Sequence, residues 1–116
     1  MMSMVRARVM IRGRVQGVYF RAHTRDEAKA HNVTGWVKNR SDGGVEAVFE
    51  GSSEDVKKVI AWCHQGPAWA RVTDVHADWQ DYTGEFKNFF ISHDLRQSRR
   101  LEKREPLKAV VKPWAT

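Results

Sequence analysis

The stretch Val5-Arg6-Ala7-Arg8-Val9-Met10-Ile11-Arg12-Gly13, continued by Arg14-Val15-Gln16-Gly17-Val18-Tyr19-Phe20-Arg21, decides the fold, because its hydrophobic period changes half-way. Val5, Ala7, Val9 and Ile11 alternate with Arg6, Arg8, Met10 and Arg12, the period-2 pattern of a strand with one buried face, and Gly13 is expected to end it. From Tyr19 to His31 the chain is rich in Ala and charge, with Phe20, Thr24 and Ala28 at i, i+4 and i+8, which predicts a helix. Asn32 is placed to close that helix, since Asn tolerates left-handed backbone. Between strand and helix lies a turn that carries two glycines, Gly13 and Gly17.

Working outward, Gly35-Trp36-Val37-Lys38-Asn39 and Val45-Glu46-Ala47-Val48-Phe49 are two short strands joined through Asp42-Gly43, a strong hairpin signal because both turn residues accept positive φ. Ser52 and Ser53 offer N-caps to a second helix whose Val56, Val59, Ile60 and Cys63 share a face, and Gly66-Pro67 stops it. Val75, Ala77 and Trp79 alternate with Asp74, His76 and Asp78 as a further strand. Tyr82-Thr83-Gly84 turns the chain, and residues 86–91 predict the last strand. The order β-α-β-β-α-β, with each helix as a right-handed crossover, implies an α+β, ferredoxin-like sandwich: an antiparallel sheet of four to five strands with two helices on one face. The expected division is a domain over residues 1–93 and a basic C-terminal extension over 94–116, with one short helix near 97–104.

The 116 residues fit one domain, not a two-domain enzyme, and 41 % hydrophobic residues are enough for a core. No apolar run approaches the roughly 20 residues of a membrane helix, and Arg6, Arg8 and Arg12 interrupt the N-terminal stretch where a signal peptide needs apolar sequence, so a cytoplasmic protein is expected. Cys63, the single cysteine, excludes an intrachain disulfide and a zinc site built on several thiolates, and its helical spacing predicts a buried residue, not a nucleophile. His23, His31, His64, His76 and His93 include no i, i+4 pair, so no metal site is expected. The net charge is +6, but residues 94–116 hold seven basic and three acidic side chains, so most of the excess lies in that extension and says little about the main site.

Residues 13–21 carry the chemistry. A strand-to-helix turn aims backbone N–H groups at one point, and the positive end of the helix dipole adds to them, which makes a cradle for phosphate. It is not a Walker loop, since no Gly-Lys-Ser/Thr follows. Arg21, in the first helical turn, could grip a phosphoryl group bidentately. On the glycines alone, a tight strand-to-helix turn without a ligand is the better explanation of the loop.

These residues resemble the active-site loop of the acylphosphatase family, Gly-x-Val-Gln-Gly-Val-x-Phe-Arg, which residues 13–21 match at every fixed position. The resemblance extends to Gly35-Trp36-Val37-Lys38-Asn39, to Asp42-Gly43, Val45-Glu46-Ala47 and Gly66-Pro67, and to Tyr82-Thr83-Gly84-Glu85-Phe86, covering residues 5–92. It implies hydrolysis of a carboxyl–phosphate anhydride to a carboxylate and inorganic phosphate without metal or organic cofactor. By the same resemblance Arg21 and Asn39 are the catalytic residues, and the backbone of Val15, Gln16, Gly17, Val18, Tyr19 and Phe20 forms the phosphate cradle together with Arg21. His31-Asn32 and the bulky Trp69 depart from the family's usual residues. The expected partners are a small acyl phosphate as substrate and inorganic phosphate as product of a monomeric enzyme, with no membrane and no specific nucleic acid.

Two other functions share this topology. An RNA-recognition module would place aromatic, aromatic and Val where this chain, aligned from Arg12, has Arg14, Gln16 and Gly17. Related domains also occur within larger carbamoyl-phosphate-handling maturation proteins; the zinc-finger-like cysteines of those proteins have no counterpart here, which favours the stand-alone hydrolase.

Overall fold

The computed structural model describes residues 3–93; the basic stretch 94–116, with the short helix expected at 97–104, lies outside the described residues. The elements are β1 (Met4–Arg14), α1 (Phe20–Ala30), β2 (Thr34–Asn39), β3 (Val45–Ser52), α2 (Ser53–Gln65), β4 (Arg71–Gln80) and β5 (Phe89–Ser92). They form one five-stranded sheet in the order β4-β1-β3-β2-β5. Phe20, Thr24 and Ala28 of α1 and Val56, Val59, Ile60 and Cys63 of α2 are their buried residues. The apolar ones form one core with Ala7, Val9, Ile11, Val37, Val45, Ala47 and Phe49 of the sheet, so both helices cover the same face.

The expected sandwich is therefore present, with one difference in strand direction. Pairings among β4, β1, β3 and β2 are antiparallel, whereas β5 runs parallel to β2, pairing Gly35 with Phe89 and Val37 with Ile91. β4 and β5 occupy opposite edges. Residues 81–88 carry the chain across one end of the sheet, and a strand that re-enters after such a crossing reverses relative to β4 and so aligns with β2. The stacked rings of Phe49 and Phe89, 5.6 Å apart, fasten the new edge to the core.

Strand limits also move. β1 does not end at Gly13 but passes through a bulge at Arg12 and Gly13 to pair Arg14 with Arg71, which starts β4 three residues before Asp74. Gly13 is required there: its φ is +122°, and a Cβ would stand 2.2 Å from the Arg71 carbonyl oxygen. β5 begins only at Phe89 because Phe86 is engaged elsewhere, its ring lying 5.5 Å from the Arg6 guanidinium. Asn32 does close α1, at φ +58°, with the Val33 N–H donating to the Ala28 carbonyl at 2.8 Å.

The face away from the helices carries charge among the apolar Met10, Val48 and Trp36. Glu46 and Glu50 are 0 % and 1 % exposed and are met by cations. Arg8, Lys38 and Arg40 reach Glu46, and Arg6 reaches Glu50 at 3.0 Å. Glu50 also accepts the N–H and hydroxyl of Thr83, at 2.9 and 2.8 Å, and the Gly84 N–H at 3.0 Å. One carboxylate thus pins the crossing segment that leads to β5. Burial by itself would raise the Glu50 pKa. The hydrogen bonds from Thr83, Arg6 and Gly84 outweigh it and hold the carboxyl below its ordinary 4.5.

A lowered folded-state pKa means that the stabilisation is complete above about pH 4.5 and is lost as the pH falls through the lower, folded value. Glu50→Gln is therefore expected to cost about 2–3 kcal/mol at pH 7. Urea midpoints taken at descending pH should show the difference from the parent shrinking below pH 4.5; a gap that stays constant to pH 3 would contradict the assignment.

Candidate active site

Because β1 and β2 run in the same direction and β5 follows β2, the C-terminal ends of all three meet the N-terminus of α1 at one end of the sheet. Every residue assigned to the site from the sequence lies at that end: residues 15–20 link β1 to α1, Arg21 is the second residue of α1, and Asn39 is the last of β2.

The loop is built by alternation. Val15, Val18 and Phe20 are buried, at 1 %, 9 % and 1 % exposed, and act as anchors, while Gly17 and Tyr19 face outward. Gln16 supplies a further tie: its Nε2 donates to the carbonyls of Arg40 and Gly44, at 2.7 and 2.8 Å, fastening the loop to the β2–β3 turn. The structure thus gives the Gln16 side chain a positioning role, distinct from its backbone. Gly17 has φ +76° with nothing within 4 Å of where a Cβ would stand, so the loop backbone is open to approach at that point. Tyr19, the N-cap of α1, is also left-handed, at φ 64°.

The two helices begin differently. α2 has a conventional cap, the Asp55 N–H donating to Ser52 Oγ at 3.2 Å, with Glu54 and Asp55 in its first turn. α1 has no side-chain cap and no acidic residue in its first turn. No backbone carbonyl of the described residues takes the N–H groups of residues 17–22. Unclaimed N–H groups at the positive end of a helix dipole favour an anion over a cation.

Arg21 is half-buried, and its Nη1 donates to Nδ1 of His93 at 3.2 Å. His93 carried no signal in the sequence: it comes near Arg21 only because β5 lies beside β2. Asn39 is half-buried with its Oδ1 shielded from water and without a hydrogen-bond partner among the described residues. Such an acceptor is costly unless something else fills its lone pairs. Cys63, near the C-terminal end of α2, is fully buried; burial, and secondarily the charge of Glu27, push its thiol pKa up, against any nucleophilic role.

On the opposite face, the positions where an RNA-recognition sheet would present stacking rings hold Arg8 and Met10 on β1 and the buried Glu46 and Glu50 on β3. None of these side chains is a ring on which a base could stack.

Residues 7–91 match the family model described as Acylphosphatase. The chain is 58 % identical over 91 residues to an acylphosphatase of Pelotomaculum thermopropionicum, covering 78 % of this chain and 99 % of that protein. Among solved structures it resembles the acylphosphatase of Bacillus subtilis, at 33 % identity and a TM-score of 0.74 over 76 % of this chain and 98 % of the other. An acylphosphatase from Coxiella burnetii superposes with the same TM-score of 0.74 at 32 % identity, over 77 % and 93 % of the two chains. A match that runs from β1 to β5 and includes the cradle loop and Asn39 has one meaning: the chain belongs to the acylphosphatase family, the enzymes that hydrolyse acyl phosphates.

Proposed function

We propose that acyl phosphate hydrolysis in this protein rests on Arg21, Asn39 and the backbone of residues 15–20, with no metal and no organic cofactor taking part. The observation that carries this reading is the buried, unpartnered Oδ1 of Asn39 at the end of the sheet where α1 leaves its first N–H groups unclaimed. An acceptor beside a set of donors fits a water molecule beside a phosphoryl group.

The loop amides and the guanidinium of Arg21 hold the phosphoryl oxygens, with Arg21 exchanging His93 for the anion, since a charge-assisted bidentate pair is the stronger bond. Water donates one hydrogen bond to Asn39 Oδ1 and presents a lone pair in line with the bond to be broken. The water oxygen bonds to phosphorus, the bond from phosphorus to the acyl oxygen breaks, and its electron pair leaves with the carboxylate. A carboxylate whose conjugate acid has a pKa of about 4 needs no general acid. The proton of the attacking water passes to a phosphoryl oxygen. Charge accumulates on equatorial oxygens already faced by preorganised donors, and electrostatics and positioning supply the acceleration.

In this reading residues 1–93 are the catalytic domain and 94–116 a basic extension, and the enzyme acts as a cytoplasmic monomer. No helix among the described residues is long and apolar enough to cross a membrane. A lone buried cysteine calls for no oxidising compartment. The substrate is a small acyl phosphate and inorganic phosphate is the product, with no nucleic acid partner.

Phosphate release from a small aryl acyl phosphate, measured in the presence of a chelator, tests the assignment. Arg21→Ala and Asn39→Ala should each lower kcat by about 10²–10³ without loss of stability, whereas His23→Ala and Asp26→Ala should keep the parent rate. Full activity in either of the first pair, or its disappearance in either of the second, overturns the mechanism. Gln16→Leu, which deprives two carbonyls of their donor, should lower stability by about 1–3 kcal/mol in thermal or urea unfolding, and inorganic phosphate, the product, should inhibit the parent competitively.

A further inference from the structure

A cleft of about 380 Å³ adjoins the cradle, lined by Arg14, Gln16, Gly17, Val18, Tyr19 and Trp69. Four of these belong to the loop that faces the phosphoryl group, so whatever is bonded to that group extends into or past this space. The cleft is at the small end of ligand-pocket sizes, too small for a folded partner and ample for one ring.

Its walls have an unusual composition for a surface. Tyr19 and Trp69 are 74 % and 76 % exposed, the two most exposed of the large apolar side chains among the described residues. Neither is left outside by looseness. Tyr19 is turned out by its left-handed backbone at the start of α1, between the buried Val18 and Phe20. Trp69 stands on the turn between α2 and β4, where Gly66 is so close to Phe20 that a Cβ would lie 2.7 Å from the ring, and the Ala70 N–H closes the turn on the Pro67 carbonyl at 3.0 Å. Packing on Phe20 thus delivers the Trp69 turn to the cradle. Arg14 is the single charged residue of the lining, which disfavours a cationic occupant.

We infer that this cleft receives the acyl portion of the substrate and that Tyr19 and Trp69 make the enzyme favour planar, aromatic acyl groups over an acetyl group. The inference rests on the assignment of residues 15–21 as the phosphoryl site. Aromatic faces bind another ring by stacking and by excluding water from both, while an acetyl group reaches too short a distance to cover either. Trp69 is thereby a specificity-determining residue for the reaction and has no part in the displacement at phosphorus.

The experiment compares kcat/KM for benzoyl phosphate and acetyl phosphate in the full chain, Trp69→Ala and Trp69→Phe. The parent should favour benzoyl phosphate. Trp69→Ala should lower its kcat/KM roughly two- to tenfold, the amount one aromatic contact supplies, mainly through KM, while acetyl phosphate changes less than twofold; Trp69→Phe should keep most of the preference. A parent with no preference, or a Trp69→Ala variant in which both substrates fall together or neither falls, overturns the inference even when Arg21→Ala abolishes activity and the phosphoryl site stands. A parent that hydrolyses neither substrate overturns both. Concentration-dependent self-association that Trp69→Ala removes, with the substrate ratio unchanged, would instead make the two rings a contact between copies and likewise overturn it.

Discussion

The active end of this molecule depends on where α1 begins, and that is set by the burial of Phe20. The ring is 1 % exposed, 5.5 Å from the Trp62 ring of α2 and directly against Gly66. A large apolar side chain sealed in the core fixes the helix N-terminus within the tolerance of close packing. The residues just before it must then turn in the open, which places the unclaimed N–H groups, and the residue just after it, Arg21, is held beside them. The same ring draws in the turn that carries Trp69. The proposed cradle, its cation and the cleft beside them all follow from one packing contact, and this is how a site can be rigid although much of it is loop.

The sheet separates two tasks. Its helix-covered face is apolar and supplies the core, while the other face is a lattice of arginines and lysine around Glu46 and Glu50. Charges buried at this level are satisfied only as a set, since each carboxylate stripped of its cations or donors would be an uncompensated charge. Here the set also has a topological use: Glu50 ties down the segment through which the chain reaches the far edge, and β5, once there, completes the wall behind Asn39 and brings His93 to Arg21. Several of the arginines behind the net charge of +6 are thus consumed internally, and the cation assigned to chemistry is one residue.

Legibility from the sequence followed the strength of the local signal. β1, α1, the hairpin of β2 and β3, and α2 have clear periods and punctuation, and their positions match what residues 5–66 predict to within a few residues. β4 was expected to begin near Asp74 but begins at Arg71: on an edge strand, exposed on both sides of the bulge, pairing with Arg14 extends the ladder where no hydrophobic period marks it. β5 was expected from Phe86, and the period there is real, but Arg6 and the Glu50 network claim the segment first. Its parallel alignment depends on which edge it joins, a matter of long-range topology that no local pattern contains.

At the site the same division holds. The sequence by itself determined the βα order, the glycine-bearing loop, and the presence of Arg21 and Asn39, because each is written in spacing and residue type over fewer than ten residues. Only the tertiary structure decided that Asn39 keeps a buried lone acceptor, that Gln16 fastens the β1–α1 loop to the β2–β3 turn, that Arg21 leans on His93, and that Trp69 and Tyr19 line one cleft. These are relations between residues that are distant in sequence, from about 20 to about 70 positions apart. They arise when the chain closes its sheet and packs two helices onto one face, so their geometry belongs to the packing and not to any single segment.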